Sequence, residues 1–151
     1  MKILTIAIPS YNSMDYMRNC IESLLPGGED VEILIVDDGS KDDTPAIADE
    51  YQEKYPGIVR AIHQENGGHG EAVNAGLRNA TGFFYKVVDS DDWVDAESYQ
   101  KILAFLKEAM KEEEPLDMLL SNYVYEKVGA KHKKSDPVSF YPAGESLFWM
   151  G

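Results

Sequence analysis

Three carboxylates stand within four residues at Asp89-Ser90-Asp91-Asp92, at the end of the apolar run Phe83-Phe84-Tyr85-Lys86-Val87-Val88. Packing does not ask for such a group. Like charges this close repel and raise one another's pKa unless a cation or a set of donors sits among them. Hard oxygen ligands at the end of a strand suit Mg²⁺ or Mn²⁺, which take one or two carboxylates and fill their other positions with water and phosphate oxygens. The competing reading is an acidic turn that caps the next helix, with Asp95 as N-cap before Ala96-Glu97. A cap accounts for Asp95 and leaves the other three carboxylates unexplained.

Two further clusters could act with this one. In Asp37-Asp38-Gly39-Ser40 a carboxylate after an apolar run can accept from the ring N–H of a base or from a ribose hydroxyl, and Gly39 permits the sharp turn that exposes it. A helix-capping acidic loop is the plainer alternative. Asn66-Gly67-Gly68-His69-Gly70 places three glycines among five residues, ahead of a helix whose free N–H groups and positive dipole end attract phosphate. Glycine loops also simply turn the chain. His69 is exposed by its neighbours and can donate to a phosphate, or stand as a neutral loop histidine. Tyr11, in Pro9-Ser10-Tyr11-Asn12, can lay its ring against a base or serve as a partly buried structural tyrosine. His63, His69 and His132 share no metal-ligand spacing, which argues against a histidine metal site.

These clusters work only if the chain brings them together, and its apolar pattern alternates strand with helix. Ile3 to Ile8 reads as a buried strand. Met14, Met17, Ile21, Leu24 and Leu25 then recur at helical spacing until Pro26-Gly27-Gly28 stops the helix. Val31 to Val36 is a second strand. Asp43-Thr44-Pro45 starts a helix, with an N-cap candidate and a proline near the first helical position, and Pro56-Gly57 ends it. A weaker strand over Val59 to His63 leads to the glycine loop and a helix over Glu71 to Asn79. After the Phe83 strand, an amphipathic helix from about Ala96 to Lys111 turns Ile102, Leu103, Phe105, Leu106 and Met110 toward the core, with Glu112-Glu113-Glu114 as its solvated end. Beyond Pro115, Leu116 to Tyr125 reads as a strand, Lys131-His132-Lys133-Lys134 as a hairpin tip and Val138 to Tyr141 as a returning strand. This alternation implies an α/β fold, a mostly parallel sheet with helices on both faces. Ligands of such sheets gather outside the carboxyl ends of the strands, where the first, second and fourth strands deliver their polar clusters.

Composition narrows the function classes. A chain of 151 residues with 44% hydrophobic and 27% charged residues is an ordinary globular domain. Its net charge of −13 argues against a nucleic-acid partner, which would need a basic face. A divalent cation still allows a phosphorylated ligand. The single cysteine, Cys20, excludes an intrachain disulfide, fits a reducing compartment and falls on the apolar face of the first helix. No run approaches the roughly 18 apolar residues of a membrane span, and Met1-Lys2-Ile3 leads directly into a strand, so the expected location is cytoplasmic.

Five segments together resemble the successive motifs of family 2 glycosyltransferases. They are Ile8-Pro9-Ser10-Tyr11-Asn12, Val36-Asp37-Asp38-Gly39-Ser40-Lys41-Asp42-Asp43-Thr44, Asn66-Gly67-Gly68 with Asn74-Ala75-Gly76-Leu77, Ala80-Thr81-Gly82, and Val88-Asp89-Ser90-Asp91-Asp92-Trp93. The resemblance implies a Rossmann-like GT-A fold and inverting transfer from a nucleotide-sugar donor, a UDP-sugar, to a saccharide or lipid acceptor. By motif position Pro9, Tyr11 and Asp38 would line the base pocket, with Asn12 and Asp37 beside it. Asn66, Gly67, Gly68 and His69 would approach the nucleotide. Asp89 and Asp91 match the outer carboxylates of the family's Asp-x-Asp motif and would hold Mg²⁺ or Mn²⁺ near the ribose and diphosphate, with Asp92 behind them or as a substitute ligand. They are not the acid/base pair of a glycoside hydrolase, which wants carboxyls about 5 to 10 Å apart flanking the sugar rather than in one turn.

Two departures from the family matter. Many relatives carry an arginine just before the asparagine matched by Asn74, and here that place is Val73. Family catalytic domains also continue well beyond this length and draw the base and the acceptor site from the later part. The expectation is therefore a single truncated domain over residues 1–151 that holds the donor half, with no catalytic base identified. Self-association through the apolar Leu147-Phe148-Trp149-Met150, and peripheral membrane association through the part that would follow, are further expectations. A non-catalytic nucleotide-sugar-binding module is the alternative. A phosphoacceptor receiver domain would need an acidic pair after its first strand, where Pro9-Ser10-Tyr11-Asn12 stands.

Overall fold

The computed structural model describes residues 1–112 and 119, with the backbone of 124–125 and 133–134. The elements are β1 (Leu4–Ser10), α1 (Met17–Leu24), a 3-10 segment (Leu25–Asp30), β2 (Val31–Asp38), α2 (Thr44–Lys54), β3 (Val59–Gln64), α3 (His69–Asn79), β4 (Phe84–Val87) and α4 (Ala96–Ala109). A short antiparallel pair follows, β5 (Val124–Tyr125) and β6 (Lys133–Lys134). One compact unit, Met1–Leu106, contains the main sheet, and a second, Lys107–Gly151, contains the β5–β6 pair. Among the described residues, no helix is long and apolar enough to cross a membrane.

The main sheet has the order β3-β2-β1-β4 and is parallel throughout. The chain moves outward from β1 through β2 to β3, then returns past β1 to β4. Right-handed crossovers in opposite directions place α1 and α2 on one face and α3 on the other. This is the parallel α/β layout expected from the alternation, and it agrees with the Rossmann-like fold that the family resemblance implies. Every residue of β1 and β2 is buried, which explains why both read as mostly apolar runs without a polar face, interrupted before their ends only by Thr5 and Glu32. α1 adds Met17, Cys20, Ile21 and Leu24 to the core, and α3 adds Ala72, Ala75 and Gly76.

A polar knot fixes the opposite, amino end of the sheet. Buried Glu32 accepts from Thr5 Oγ1 (2.8 Å), Arg60 Nη1 (2.6 Å) and the Thr81 N–H (2.9 Å), while the Gly82 N–H donates to Thr5 Oγ1 (2.8 Å). A Cβ on Gly82 would stand 2.5 Å from the Thr5 nitrogen, so the Ala80-Thr81-Gly82 turn needs glycine there.

Several expectations change in detail. The Phe83 run is not a fully buried strand: β4 is the outer strand of the described sheet, Phe83 is 48% exposed, and Phe84, Tyr85 and Val87 are half-buried. In α4, Tyr99, Leu103, Leu106 and Ala109 are buried, whereas Phe105 is 38% exposed, because the inward stripe falls one position to its side. Asp43 is the N-cap residue of α2, as expected, but makes no side-chain capping bond; the Thr44 N–H at the helix start is instead accepted by Asp42 Oδ1 at 2.9 Å. Lys133 and Lys134 lie on the returning strand rather than at a hairpin tip. The strand expected over Val138 to Tyr141 and the apolar segment Leu147 to Met150 lie outside the described residues.

Candidate functional site

The parallel register carries the ends of β1, β2 and β3 to one edge, with Ser10 beside Asp37, Asp37 beside His63 and Asp38 beside Gln64. β2 runs through both aspartates, so strand alternation points their side chains to opposite faces. Asp38, 3% exposed, accepts from Gln64 Nε2 (2.9 Å) and the Gly67 N–H (2.8 Å) at Oδ1, and from the Gly68 N–H (2.9 Å) at Oδ2. Burial works against its charge, but the Gly67 N–H, the Gln64 amide and the Gly68 N–H outweigh it and hold the carboxyl below the ordinary aspartate range. The approach is close: Gly39 has φ +71°, and a Cβ on it would lie 2.7 Å from the Asn66 nitrogen. Asn66 closes the contact by donating Nδ2 to the Asp38 carbonyl at 3.1 Å.

These loops enclose a cleft of about 220 Å³ lined by Pro9, Ser10, Tyr11, Asp38, Asn66, Gly68, His69 and Ala72. Six of the residues singled out from sequence thus come together: Pro9, Tyr11, Asp38, Asn66, Gly68 and His69. Tyr11 is 50% exposed, which leaves its ring free to meet a planar group. Asn12, Asp37 and Gly67 are not in the lining. Asn12, at φ +48°, donates its N–H to Ser40 Oγ (3.0 Å) and accepts the Lys41 N–H (2.9 Å), so it joins the β1 and β2 loops. Asp37 accepts the Ser40 N–H (3.0 Å) and lies 3.0 Å from His63 Nδ1. Gly67 spends its N–H on Asp38. Ser10 and Ala72 were missed. Ala72 lies three residues after His69 on α3, so helical spacing was the available signal once the helix start moved back from Glu71 to His69.

The acidic turn stands next to this cleft. The Asp92 N–H donates to the Asp89 carbonyl (2.9 Å), closing the turn, and the carboxylates of Asp89, Asp91 and Asp92 offer oxygens within 4.8 Å of one another, all exposed. Partial burial, then the charges of Asp91 and Asp89, push the Asp92 carboxyl above its ordinary value. His69 Nε2 is 3.9 Å from Asp89 Oδ1, so the glycine loop and the acidic turn meet at this point. Asp95 caps α4, accepting the Ser98 N–H at 2.9 Å, and the three preceding carboxylates take no part in that cap. Three hard, exposed oxygen donors clustered around one space suit a divalent cation of the Mg²⁺ or Mn²⁺ kind. Cys20 is buried, and burial above all pushes its thiol up to about 12, as expected of a structural residue.

Residues 5–134 match the family described as Glycosyl transferase family 2. The chain is 41% identical over 106 residues to the uncharacterized glycosyltransferase YibD of Escherichia coli, a match that covers 70% of this chain and 30% of that protein. Among solved structures it is similar to S. aureus TarS 1-349 in complex with UDP-GlcNAc, with 34% identity, a TM-score of 0.63, and coverage of 73% of this chain and 32% of that one. The fold is also that of the mannosyltransferase PcManGT from Pyrobaculum calidifontis, at 22% identity and a TM-score of 0.61, covering 74% of this chain and 33% of that one. The chain thus spans about a third of the length of these proteins.

Proposed function

The chain belongs to glycosyl transferase family 2, and from that premise we propose that its cleft binds the nucleotide of a UDP-sugar, whose sugar the whole protein passes to a saccharide or lipid acceptor with the aid of Mg²⁺ or Mn²⁺. The observation that carries this reading is the meeting of two unlike surfaces at one sheet edge. One is a half-open cleft with a tyrosine wall and a buried carboxylate; the other is a cluster of exposed carboxylates reached through His69.

Each part has work to do. The cleft takes the base, with Pro9 and Tyr11 as apolar walls. A carboxylate offers about four acceptor directions, and Asp38 spends three on Gln64, Gly67 and Gly68. The remaining one can accept a ring N–H, which uracil has and cytosine lacks. The UDP-GlcNAc complex of TarS, at 34% identity, supports the same base. Asp89 and Asp91 would hold the cation, with Asp92 beside them. When bound, such a cation supplies charge to a diphosphate leaving group as the glycosidic bond breaks. His69, at the start of α3, faces the same space and can donate to a phosphate oxygen. The single reduced cysteine keeps a cytoplasmic site of action as part of the proposal.

Thermal shift against a panel of nucleotides tests the reading, because a ligand of the folded state raises stability by mass action. UDP and UDP-sugars should raise Tm with Mn²⁺ present and CDP should do so much less. Equal shifts for UDP and CDP would remove Asp38 from base recognition. No shift with any nucleoside diphosphate would remove the cleft from donor binding.

A further inference from the structure

Ser13 lines no part of the cleft and belongs to no motif, yet it is 2% exposed and touches both halves of the site. Its hydroxyl lies 2.7 Å from that of Ser90, 8% exposed, the middle residue of Asp89-Ser90-Asp91. The same oxygen accepts the Tyr11 N–H (3.2 Å) and lies 3.3 Å from the Tyr11 carbonyl. A hydroxyl has one proton and two acceptor directions. All three contacts are satisfied together if Ser13 donates to the Tyr11 carbonyl while it accepts from Tyr11 N–H and from the Ser90 hydroxyl. Ser13 is itself held in place: its N–H donates to Thr44 Oγ1 (2.8 Å), and its carbonyl accepts the N–H groups of Tyr16 and Met17 at the start of α1. Two more contacts from α1 reach the same loop, Cys20 Sγ to the Asp89 carbonyl at 3.5 Å and the Val94 N–H to Ser23 Oγ at 3.2 Å.

The geometry points to Ser13 as a positioning residue that ties the tyrosine wall of the nucleotide cleft to the cation-holding turn. This rests on the donor-binding reading above. Ser90 turns inward under the turn while Asp89 and Asp91 stay exposed on either side of it. The bond to Ser13 therefore sets where those carboxylates stand relative to Tyr11. Without it, the turn keeps its own Asp92-to-Asp89 bond, the weak thiol contact of Cys20 and, beyond the carboxylates, the Val94 bond to Ser23, and its carboxylates lose their register with the cleft. A nucleoside diphosphate spans both halves, so the cost falls on cation affinity in the ternary complex.

The test measures Mn²⁺ binding by the electron paramagnetic resonance signal of free Mn²⁺, with saturating UDP, for wild type, Ser13→Ala, Ser13→Thr, Ser90→Ala and the double alanine variant. Both single alanine variants should weaken Mn²⁺ binding roughly three- to tenfold, the range of one buried hydrogen bond. The double variant should lose no more than the worse single, because both remove the same bond. Ser13→Thr, which keeps the hydroxyl, should bind like wild type. Ser90→Ala leaves the Tyr11 contacts intact, so its affinity for uridine without metal should not change. Unchanged Mn²⁺ affinity in Ser90→Ala, or additive losses in the double variant, would overturn the proposal even if Ser13→Ala misfolds. Wild-type protein that binds UDP equally with and without Mn²⁺ would instead overturn the cation part of the donor-binding reading, and this inference with it.

Discussion

Two groups of aspartates occupy the same edge of one sheet in opposite conditions. At the end of β2, Asp37 and Asp38 are buried, and donors of the protein itself occupy their oxygens. After β4, the carboxylates of Asp89, Asp91 and Asp92 are exposed and crowd one another. Burial opposes the charge of both Asp38 and Asp92, but donors lower the first while like charges raise the second. The β2 pair is completed by folding. The β4 group is completed only by something from solution. Both can serve one ligand, the first as a preset acceptor and the second as uncompensated charge that selects a cation.

The most damaging change should fall on the completed side. Asp38→Ala leaves the Gly67 and Gly68 N–H groups and the Gln64 amide without their acceptor, and should cost about 3 kcal/mol of stability. It should also blur the preference for UDP over CDP. Acid should act in the same direction. A carboxyl whose folded pKa is lowered contributes in full above its unfolded value of about 4, and that contribution is lost as pH falls through the folded pKa. Chemical denaturation of the variant at neutral pH, and of wild type down an acid series, checks both. A variant as stable as wild type would mean that the loop holds itself.

The exposed side should show the reverse pattern. Asp91→Asn removes a repelling charge, so stability without metal should stay the same or rise, while UDP affinity in Mn²⁺ should fall about tenfold, or 1.4 kcal/mol. Chelating the cation from wild type should produce a loss of similar size. Calorimetry that finds equal UDP affinity with and without chelator would end the cation role.

This contrast was only half readable from the amino-acid order. The alternation of apolar runs gave the parallel sheet, and the polar clusters fell where strands of such a sheet end. Motif position set Asp38 in the pocket and Asp37 beside it, as the cleft lining has them, but the physical reason was out of reach, because their roles depend on which face of β2 each occupies and on what β3 brings beside it. His63 and Gln64 supply the partners, from a strand read one residue short. Asn12 sits inside a motif, yet its bonds to Ser40 and Lys41 make it a clasp behind the cleft. Ser13 lay outside every motif, since a buried bond between residues 77 positions apart leaves no local trace. β4 misled in another way. Its apolar content suited a central strand, whereas burial depends on neighbours that composition does not reveal.

A smaller effect should appear at Asp92. Its folded pKa is raised, so its contribution to stability is present below the unfolded value and lost as pH rises through the folded one. At neutral pH without metal, Asp92→Asn should therefore raise Tm slightly, and at about pH 3 it should change nothing. A gain of equal size at both pH values would point to packing rather than charge.

The smallest effect belongs to His63, behind the completed side. Its Nδ1 lies 3.0 Å from Asp37 Oδ2 and its Nε2 2.7 Å from Asp49 Oδ1, so β3 is linked to β2 and α2 through one ring. Two carboxylates can both be satisfied only if both ring nitrogens carry protons, and these bonds, first Asp37 and then Asp49, raise the imidazole's pKa. A raised histidine gives its full stabilisation below the unfolded value of about 6.5 and loses it as pH rises through the folded value. The ring is 42% exposed and Asp49 61%, so solvent screening should keep the gain under about 1 kcal/mol. Wild type should lose that small increment as pH rises above neutrality. His63→Gln, which keeps a donor but cannot titrate, should show a flat profile over the same range. Because Asp37 also accepts the Ser40 N–H, and Ser40 Oγ accepts from Asn12, loss of the charged ring should loosen the clasp behind Tyr11 before it disturbs Asp38. Hydrogen exchange that quickens first at Ser40 and Asn12 as pH rises, after correction for intrinsic rates, would place the effect there. A quickening shared by Gly67 and Gly68 would show instead that the two aspartates of β2 move as one.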